Sequence, residues 1–300
     1  MDLKILIFLQ SVRESLGTWA DIFFELLSSH YLFALYGLAG AYAMLKGEKK
    51  KGYRIILSFI FAECLVWLVK CTFCIPRPWL RTDLLHPSET AVAGATGHSF
   101  PSGHSAAAGA LLLGIRKSYG EDRKWLRVLC CVMTGLTMLS RLMLSVHTPQ
   151  DVLAGLLIAV VVSRLVEVIL DGAEKDTLNT EIVTGGLLAA AFAMTLYFRL
   201  KSYPGGIDEV SLKSAFRVCG MAAGCACGWY AEEKHHDGLG IRFSVITGII
   251  LFSATAAVMV VPAAYMYRKC MLYASLVFLF FALMPFLSSM YGKKSGVYKQ

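Results

Sequence analysis

The chain has 300 residues, of which 56% are hydrophobic and only 17% are charged. A soluble globular chain carries about 45–50% apolar and about 25% charged residues, so this composition indicates a membrane protein and argues against an ordinary soluble domain. The net charge of +8 would suit a nucleic-acid binder. The charges flank long apolar runs, however, which is typical of basic loops between membrane spans.

Nine apolar stretches follow an N-terminal segment of different character. Residues 1–28 mix charges with short apolar runs, which predicts an amphipathic segment lying at the membrane interface. Each later stretch is near the length needed to cross a hydrocarbon core of roughly 30 Å. The predicted spans are residues 29–46, 54–71, 102–117, 125–145, 150–170, 182–199, 215–231, 243–266 and 270–291. We therefore expect an all-α fold, a polytopic membrane helical bundle of about nine transmembrane helices.

Basic residues set the expected orientation of these spans. The connections around residues 46–54 and 116–127 are rich in Lys and Arg, and such loops stay on the cytoplasmic side. The N-terminus would then lie outside and the C-terminus inside in a multi-pass protein of the cell membrane. The loop of residues 70–104, the end of the fourth span at Arg141 and the turn at His147 would meet on the extracytoplasmic face.

A pair of cations follows the second predicted span. Lys70 ends that span, and Arg77 comes seven residues later, after Pro76 has ended the helix. Arg offers a planar fork for two phosphate oxygens and Lys a compact charge, so the pair suits a phosphate. The alternative is that both side chains only anchor a helix end at the interface.

A second motif, residues 100–105 with the sequence FPSGHS, predicts a loop that enters a helix. Backbone N–H groups at a helix N-terminus bind anions, Gly103 permits close approach of a ligand, and Ser102 adds a hydroxyl group. His104 would point at the same anion. The alternative is a Ser N-cap beside a solvated histidine.

A third motif combines Arg141, His147 and Asp151. Arg141 lies in an otherwise apolar stretch, where a charge is costly and indicates a function. Thr148 is the expected N-cap of the next helix, with Asp151 as its third residue. Asp151 would either serve only the helix dipole or reach back to His147, fix its tautomer and leave its other ring nitrogen free to attack.

Together the three motifs predict metal-free phosphoryl transfer. His147 would attack phosphorus and form a phosphohistidine, Asp151 would orient it, and His104 would protonate the leaving oxygen and then activate water. The groups expected to bind the phosphate are Lys70, Arg77, Ser102, Gly103 and Arg141. No metal or cofactor is expected, because the CxxC at Cys71 and Cys74 has no second pair to complete a site.

The pattern K-x6-RP, PSGH and SR-x5-H-x3-D over residues 70–151 resembles the signature of the type 2 phosphatidic acid phosphatase superfamily. That superfamily includes lipid phosphatases, undecaprenyl-diphosphate phosphatases, glucose-6-phosphatases and vanadium haloperoxidases. The resemblance implies each role given above, with no departure at a motif residue. Nine spans and an external N-terminus are more similar to the layout of glucose-6-phosphatases than to that of six-span bacterial lipid phosphatases.

The expected substrate is a membrane lipid phosphate or diphosphate, because a site among helix ends can admit a headgroup while the tail stays in the bilayer. Phosphatidic acid, phosphatidylglycerol phosphate and undecaprenyl diphosphate all fit. The alternatives are a soluble sugar phosphate, a phosphotransferase reaction, and a membrane protein that binds lipid phosphate without turnover. No nucleic-acid partner is expected. Residues 29–170 would form the phosphatase core. Residues 171–300 would add transmembrane helices, whose surface is a candidate homodimer interface.

The stretch of residues 79–99 is long for a connection and predicts a lid beside the site. Its candidate substrate contacts are Trp79, Arg81, His86 and His98, of which His98 is nearest to the second motif. Glu63 shares a helical face with Lys70, where a structural hydrogen bond is expected rather than a catalytic role.

Overall fold

The computed structural model describes residues 2–95, 97–175, 178–202 and 207–234, together with 272–274 and 276–277. These described residues form helices and connections, with no strand among them. The helices are α1 (Asp2–Leu16), α2 (Thr18–Leu27), α3 (His30–Leu45), α4 (Lys49–Phe73), α5 (Glu89–Gly94), α6 (Gly103–Tyr119), α7 (Lys124–Met143), α8 (Pro149–Glu174), α9 (Thr180–Lys201) and α10 (Glu209–Lys234). A short 3₁₀ turn covers Pro78–Leu80. The all-α prediction is confirmed over this part of the chain.

Five segments of the described chain are long and apolar enough to cross a membrane. They are Thr18–Leu45, Lys49–Leu80, Lys124–Met143, Pro149–Glu174 and Thr180–Lys201. The predicted spans 102–117 and 215–231 coincide with α6 and α10, which are not among these five. The predicted spans 243–266 and 270–291 lie outside the described residues, apart from the few at 272–277. The chain is thus a multi-pass helical protein, and the total of nine spans stays a prediction.

The described chain divides into two compact units. The first comprises residues 1–40 and 54–166 and holds all three sequence motifs. The second comprises residues 41–53 and 167–300. Within the second unit α9 packs on α10, and Lys50 forms ion pairs with Asp171 (Nζ–Oδ1 2.7 Å) and with Glu174.

Small residues let α6 pack closely inside the first unit. Ala106, Ala108 and Ala110 are fully buried. A Cβ atom added at Gly155 of α8 would lie 2.4 Å from the backbone oxygen of Ser102, and one added at Gly109 would lie 2.8 Å from Ala159 Cβ. Such residues allow helix backbones to approach at distances that larger side chains forbid. The first turns of α6 and α8 are therefore held against each other.

Local geometry places His147 in the turn between α7 and α8. The α7 helix ends in a Schellman motif, in which the Ser145 N–H donates to Leu142 O (2.9 Å) and the Val146 N–H donates to Arg141 O (3.2 Å). Ser145 takes the left-handed conformation usually adopted by glycine there, with φ of 57°. The chain then reverses within three residues and enters α8 at Pro149.

The N-terminal helices α1 and α2 pack on α7 and on the loop that precedes α6. Arg13 is buried and donates to His86 O (2.6 Å) and Met143 O (3.4 Å). Phe24 of α2 is part of a buried apolar cluster with Ala91 and Val146. Residues 1–28 thus cover one side of the motif region, while their predicted interfacial position stays a prediction.

Candidate active site

Five segments of the first unit bring the predicted site residues together: the end of α4, the loop of residues 74–102, the first turn of α6, the end of α7 and the first turn of α8. Gly103 and His104 are partly buried. Six of the predicted site residues expose at most 5% of their surface: Lys70, Arg77, Ser102, Arg141, His147 and Asp151. Cations that merely anchor a helix end keep their charged groups in water. The anchoring alternative for Lys70 and Arg77 therefore does not fit the structure.

Backbone carbonyls of the preceding loop hold the first two cations. Lys70 Nζ donates to His98 O (2.7 Å) and Ser99 O (3.3 Å), and Arg77 Nε donates to Gly97 O (3.0 Å). Arg77 Nη1 also donates to Val146 O (3.1 Å) on the other side of the site. These hydrogen bonds orient the cations without neutralising them, because a carbonyl carries no net charge.

The contact between Arg77 and His147 determines the tautomer of the imidazole. Arg77 Nη1 lies 2.9 Å from His147 Nε2. A guanidinium can only donate hydrogen bonds, so Nε2 must be the acceptor and must carry a lone pair. The proton of the neutral ring is then on Nδ1. The lone pair that a nucleophile needs is on Nε2, next to a cation.

Asp151 faces the other ring nitrogen and also caps α8. Its Oδ2 accepts from the Thr148 N–H (2.7 Å), and the Asp151 N–H donates to Thr148 Oγ1 (3.4 Å), which together form a capping box. The same Oδ2 accepts from Ser99 Oγ (2.6 Å) and lies 3.5 Å from His147 Nδ1. That last distance is long for a hydrogen bond, and Nδ1 makes no hydrogen bond of good geometry among the described residues, although the Ser99 backbone also acts on the ring. Asp151 therefore stabilises the start of α8, which was one of the two predicted roles, and it also faces His147.

The electrostatic surroundings keep His147 neutral. Burial lowers the pKa of His147 well below its ordinary value of 6.5, and the nearby charges of Arg77 and Lys70 lower it further. A neutral imidazole is the form that can attack phosphorus. The cations that bind an anion thus also keep the nucleophile unprotonated.

The first turn of α6 has the predicted cap. Ser102 Oγ accepts from the Ser105 N–H (3.4 Å) and from Ser105 Oγ (3.0 Å), while the Ser102 N–H donates to Asp151 O (2.9 Å). At Gly103 an added Cβ would lie 3.6 Å from Val66 Cγ1 of α4. The bare Cα of Gly103 therefore faces α4, and its predicted role in ligand approach stays a prediction.

The connection between α2 and α3 holds Arg141. Its Nη1 donates to Ser28 Oγ (2.6 Å), between α2 and α3. Its buried Nε–H has no hydrogen-bond partner among the described residues. An unsatisfied buried donor is costly, and a phosphate oxygen would satisfy it.

His104 borders the site on the side of α3. Its ring lies in an edge-to-face arrangement with His30 (centroids 5.4 Å apart) and 5.7 Å from the ring of Phe33. Arg141, His147 and Arg77 act on it electrostatically, which places it near the other site residues. His104 is thus packed between aromatic rings, unlike the solvated histidine of the alternative interpretation.

Three residues of this region were not singled out from the sequence. Ser99 donates to Asp151, Ser28 accepts from Arg141, and His30 packs on His104. Ser99 lies only three residues before Ser102, which was the available signal. Ser28 ends the predicted interfacial segment of residues 1–28, and His30 lies at the start of the predicted span 29–46, so no motif pointed to either residue.

The other candidates of the loop contribute differently. The Arg77 guanidinium lies 5.7 Å from the centroid of the Trp79 ring, and His98 contributes its carbonyl oxygen to Lys70. Arg81 pairs with Asp2 (3.3 Å), and the His86 N–H donates to Gln10 Oε1. Glu63 lies near Lys70 and near the Cα of Gly103. In the part of the chain that the structure describes, no group of three His, Cys, Asp or Glu side chains could hold a metal ion.

Comparisons with known proteins converge on the same region. Residues 51–173 match the model of the PAP2 superfamily. An undecaprenyl-diphosphatase of Sulfolobus acidocaldarius is 30% identical over 122 residues, which cover 40% of this chain and 55% of the relative. The chain thus spans about half the length of that relative, and no solved structure matches it. The region that matches the PAP2 superfamily model contains all three motifs.

Proposed function

We propose that the protein is a metal-independent integral membrane phosphatase that hydrolyses a lipid phosphate or diphosphate through a phosphohistidine on His147. The single observation that carries this proposal is the hydrogen bond from Arg77 Nη1 to His147 Nε2. It requires a neutral imidazole with its lone pair on Nε2, beside a cation that can bind a phosphoryl oxygen. If a phosphoryl oxygen accepted this hydrogen bond from Arg77, the phosphorus would lie next to His147 Nε2.

In the first half of the reaction, His147 Nε2 attacks phosphorus and the P–N bond forms. The bond from phosphorus to the leaving oxygen breaks, and its electron pair goes to that oxygen, which takes a proton from His104. Lys70, Arg77 and Arg141 stabilise the charge on the equatorial oxygens. Asp151 stabilises the positive charge that develops on the ring, through the Nδ1–H that faces it.

In the second half, water attacks the phosphorus of the phosphohistidine. His104, which gave up its proton in the first half, now takes one from this water. The P–N bond breaks, its electron pair returns to Nε2, and inorganic phosphate leaves. Both histidines regain their starting protonation states, so the cycle needs no cofactor.

The membrane-spanning helices and the name of the relative favour a lipid-linked substrate. The site is built from the ends of α4, α6, α7 and α8, and α4, α7 and α8 belong to candidate membrane spans. The relative is named an undecaprenyl-diphosphatase, so a polyprenyl diphosphate is the first compound to test here. The proposed location is the cell membrane, with the site on the extracytoplasmic face, as the distribution of basic loops indicates.

Phosphate release from purified protein in detergent tests this proposal. The panel comprises undecaprenyl diphosphate, phosphatidic acid, phosphatidylglycerol phosphate and glucose 6-phosphate, each with EDTA and without any added acceptor. We expect release from at least one lipid substrate, undiminished by EDTA and abolished in His147→Ala. Release only from glucose 6-phosphate would overturn the lipid assignment, and loss of all release on chelation would overturn the metal-free mechanism. Turnover that requires an added alcohol or sugar acceptor would identify a phosphotransferase.

A further inference from the structure

The junction between α2 and α3 reaches the proposed site from outside the matched region. Residues 28–33 connect the two helices and begin α3, whereas the family match begins at residue 51. Ser28 accepts the hydrogen bond from Arg141, while His30 and Phe33 pack on His104. One short segment therefore contacts both a proposed phosphate-binding cation and the proposed general acid.

The geometry around His104 suits a histidine partner. His30 and Phe33 lie one turn apart on α3, so they share a helix face, and both rings are turned toward His104. The His30 and His104 planes are inclined by 73°, an edge-to-face arrangement. In an edge-to-face pair a ring edge meets the face of its neighbour, and an imidazole edge carries nitrogens that can donate or accept a hydrogen bond, which the Phe33 ring lacks. His30 is exposed, so it also connects His104 with the outside of the bundle.

We infer that His30 is a positioning residue for His104, holding its ring in the orientation that donates a proton to the leaving oxygen. The inference rests on the proposed function, because it presumes that His104 is the general acid. Besides His30, the groups that act electrostatically on His104 are Arg141, Arg77 and His147, all residues of the proposed site. His30 is the titratable residue of α3 that packs on His104.

The structural origin of this arrangement is the break between the two helices. Ser29 precedes α3 and caps it. Its Oγ accepts from the Leu32 N–H (3.3 Å), and its carbonyl oxygen accepts from the Phe33 N–H (3.3 Å). Ser28 is fixed at the same time by a hydrogen bond to Phe24 O (3.2 Å). His30 is therefore attached to a capped helix start, which restricts the orientations open to its ring.

The test compares substrates that differ in their need for a general acid. A short-chain phosphatidic acid expels an alkoxide that must be protonated, whereas p-nitrophenyl phosphate expels a stable phenolate. The variant His30→Phe keeps an aromatic ring and removes the nitrogens. We expect its kcat/KM to fall about tenfold more on phosphatidic acid than on p-nitrophenyl phosphate, a fraction of the effect of removing a general acid. His30→Gln, which keeps hydrogen-bonding groups, should recover most of that loss.

Two further variants show whether the His30 inference alone has failed or the general-acid role of His104 has failed as well. His104→Ala should show the same substrate selectivity with a larger loss, and Tyr31→Phe, at an exposed neighbouring position of α3, should behave as wild type. If His104→Ala is selective and His30→Phe is not, or if His30→Gln is impaired as much as His30→Phe, the His30 inference is overturned and the proposed function stands. If His104→Ala lowers both rates equally, the general-acid assignment fails, and the inference fails with it.

Discussion

The two histidines of the proposed site are held by different parts of the chain. On the nucleophile side, which comprises Arg77, Ser99, His147 and Asp151, the polar contacts described come from residues 70–151. On the acid side, which comprises Ser28, His30, Phe33, His104 and Arg141, the contacts are mainly aromatic and come partly from residues 28–33.

This difference separates what the superfamily motifs specify from what the rest of the chain adds. The nucleophile side lies wholly within the matched region, and its geometry follows from the Schellman motif after α7 and the capping box of α8. The acid side needs a segment that precedes the matched region. We therefore expect changes on the nucleophile side to abolish chemistry and changes at Ser28 and His30 to modulate it.

The largest effect should come from removing the nucleophile. His147→Ala deletes the atom that forms the P–N bond, so we expect turnover to fall by roughly 10⁴-fold or more, as for other enzymes that lose their nucleophile. Phosphate release from the best lipid substrate measures it. Tyr31→Phe, at an exposed position of α3, is the control and should retain activity. Substantial release by His147→Ala would remove the distinction between the two sides.

The next effect separates the two roles of Asp151. Asp151→Asn removes the charge that faces Nδ1 of His147, and we expect kcat to fall roughly 10²-fold or more, because the wrong tautomer and an unstabilised ring cation both slow attack. Thr148→Ala removes the capping hydroxyl and keeps the carboxylate. It should lower the free energy of unfolding by about 1 kcal/mol and change kcat little. Equal losses of kcat in the two variants would show that Asp151 acts only as a helix cap.

A smaller effect should follow from removing the hydrogen bond that Arg141 donates to Ser28 at the junction between α2 and α3. Ser28→Ala leaves Arg141 without the acceptor at 2.6 Å. A hydrogen bond to a charged group contributes about 1.5–3 kcal/mol, and the guanidinium can partly relax, so we expect kcat/KM to fall about tenfold through a raised KM. Kinetics on the same lipid substrate measure this. An unchanged kcat/KM in Ser28→Ala would contradict the proposed role of this hydrogen bond in positioning Arg141.

The charge state of His147 gives the subtlest prediction. Burial and the nearby cations lower its pKa, so the ring stays neutral as the pH falls through 6.5 and takes up a proton only at lower pH. NMR titration of protein labelled at histidine should show this resonance, identified by its loss in His147→Asn, shifting below pH 6.5. Replacing Arg77 by Gln should raise the midpoint. A midpoint at or above 6.5 in the unsubstituted protein would contradict the proposed surroundings.

Helix positions and motif residues could be predicted well from the sequence, because apolar length and capping residues determine them locally. The α4 and α6 to α10 helices coincide with predicted spans, and Thr148 and Ser102 cap their helices as expected. The α2–α3 junction could not be predicted, since its contacts with Arg141 and His104 join residues far apart in the sequence. The role of Ser99 was missed for a similar reason, because its partner Asp151 lies in another helix.

The covalent intermediate on His147 is the central claim, and rapid quenching tests it most directly. Protein mixed with a substrate labelled with ³²P in its terminal phosphoryl group is denatured in alkali within milliseconds and digested. We predict a labelled peptide containing His147, stable in base and labile in acid, which is absent from His147→Ala. Full turnover with no labelled protein, or label on a residue other than His147, would contradict the account.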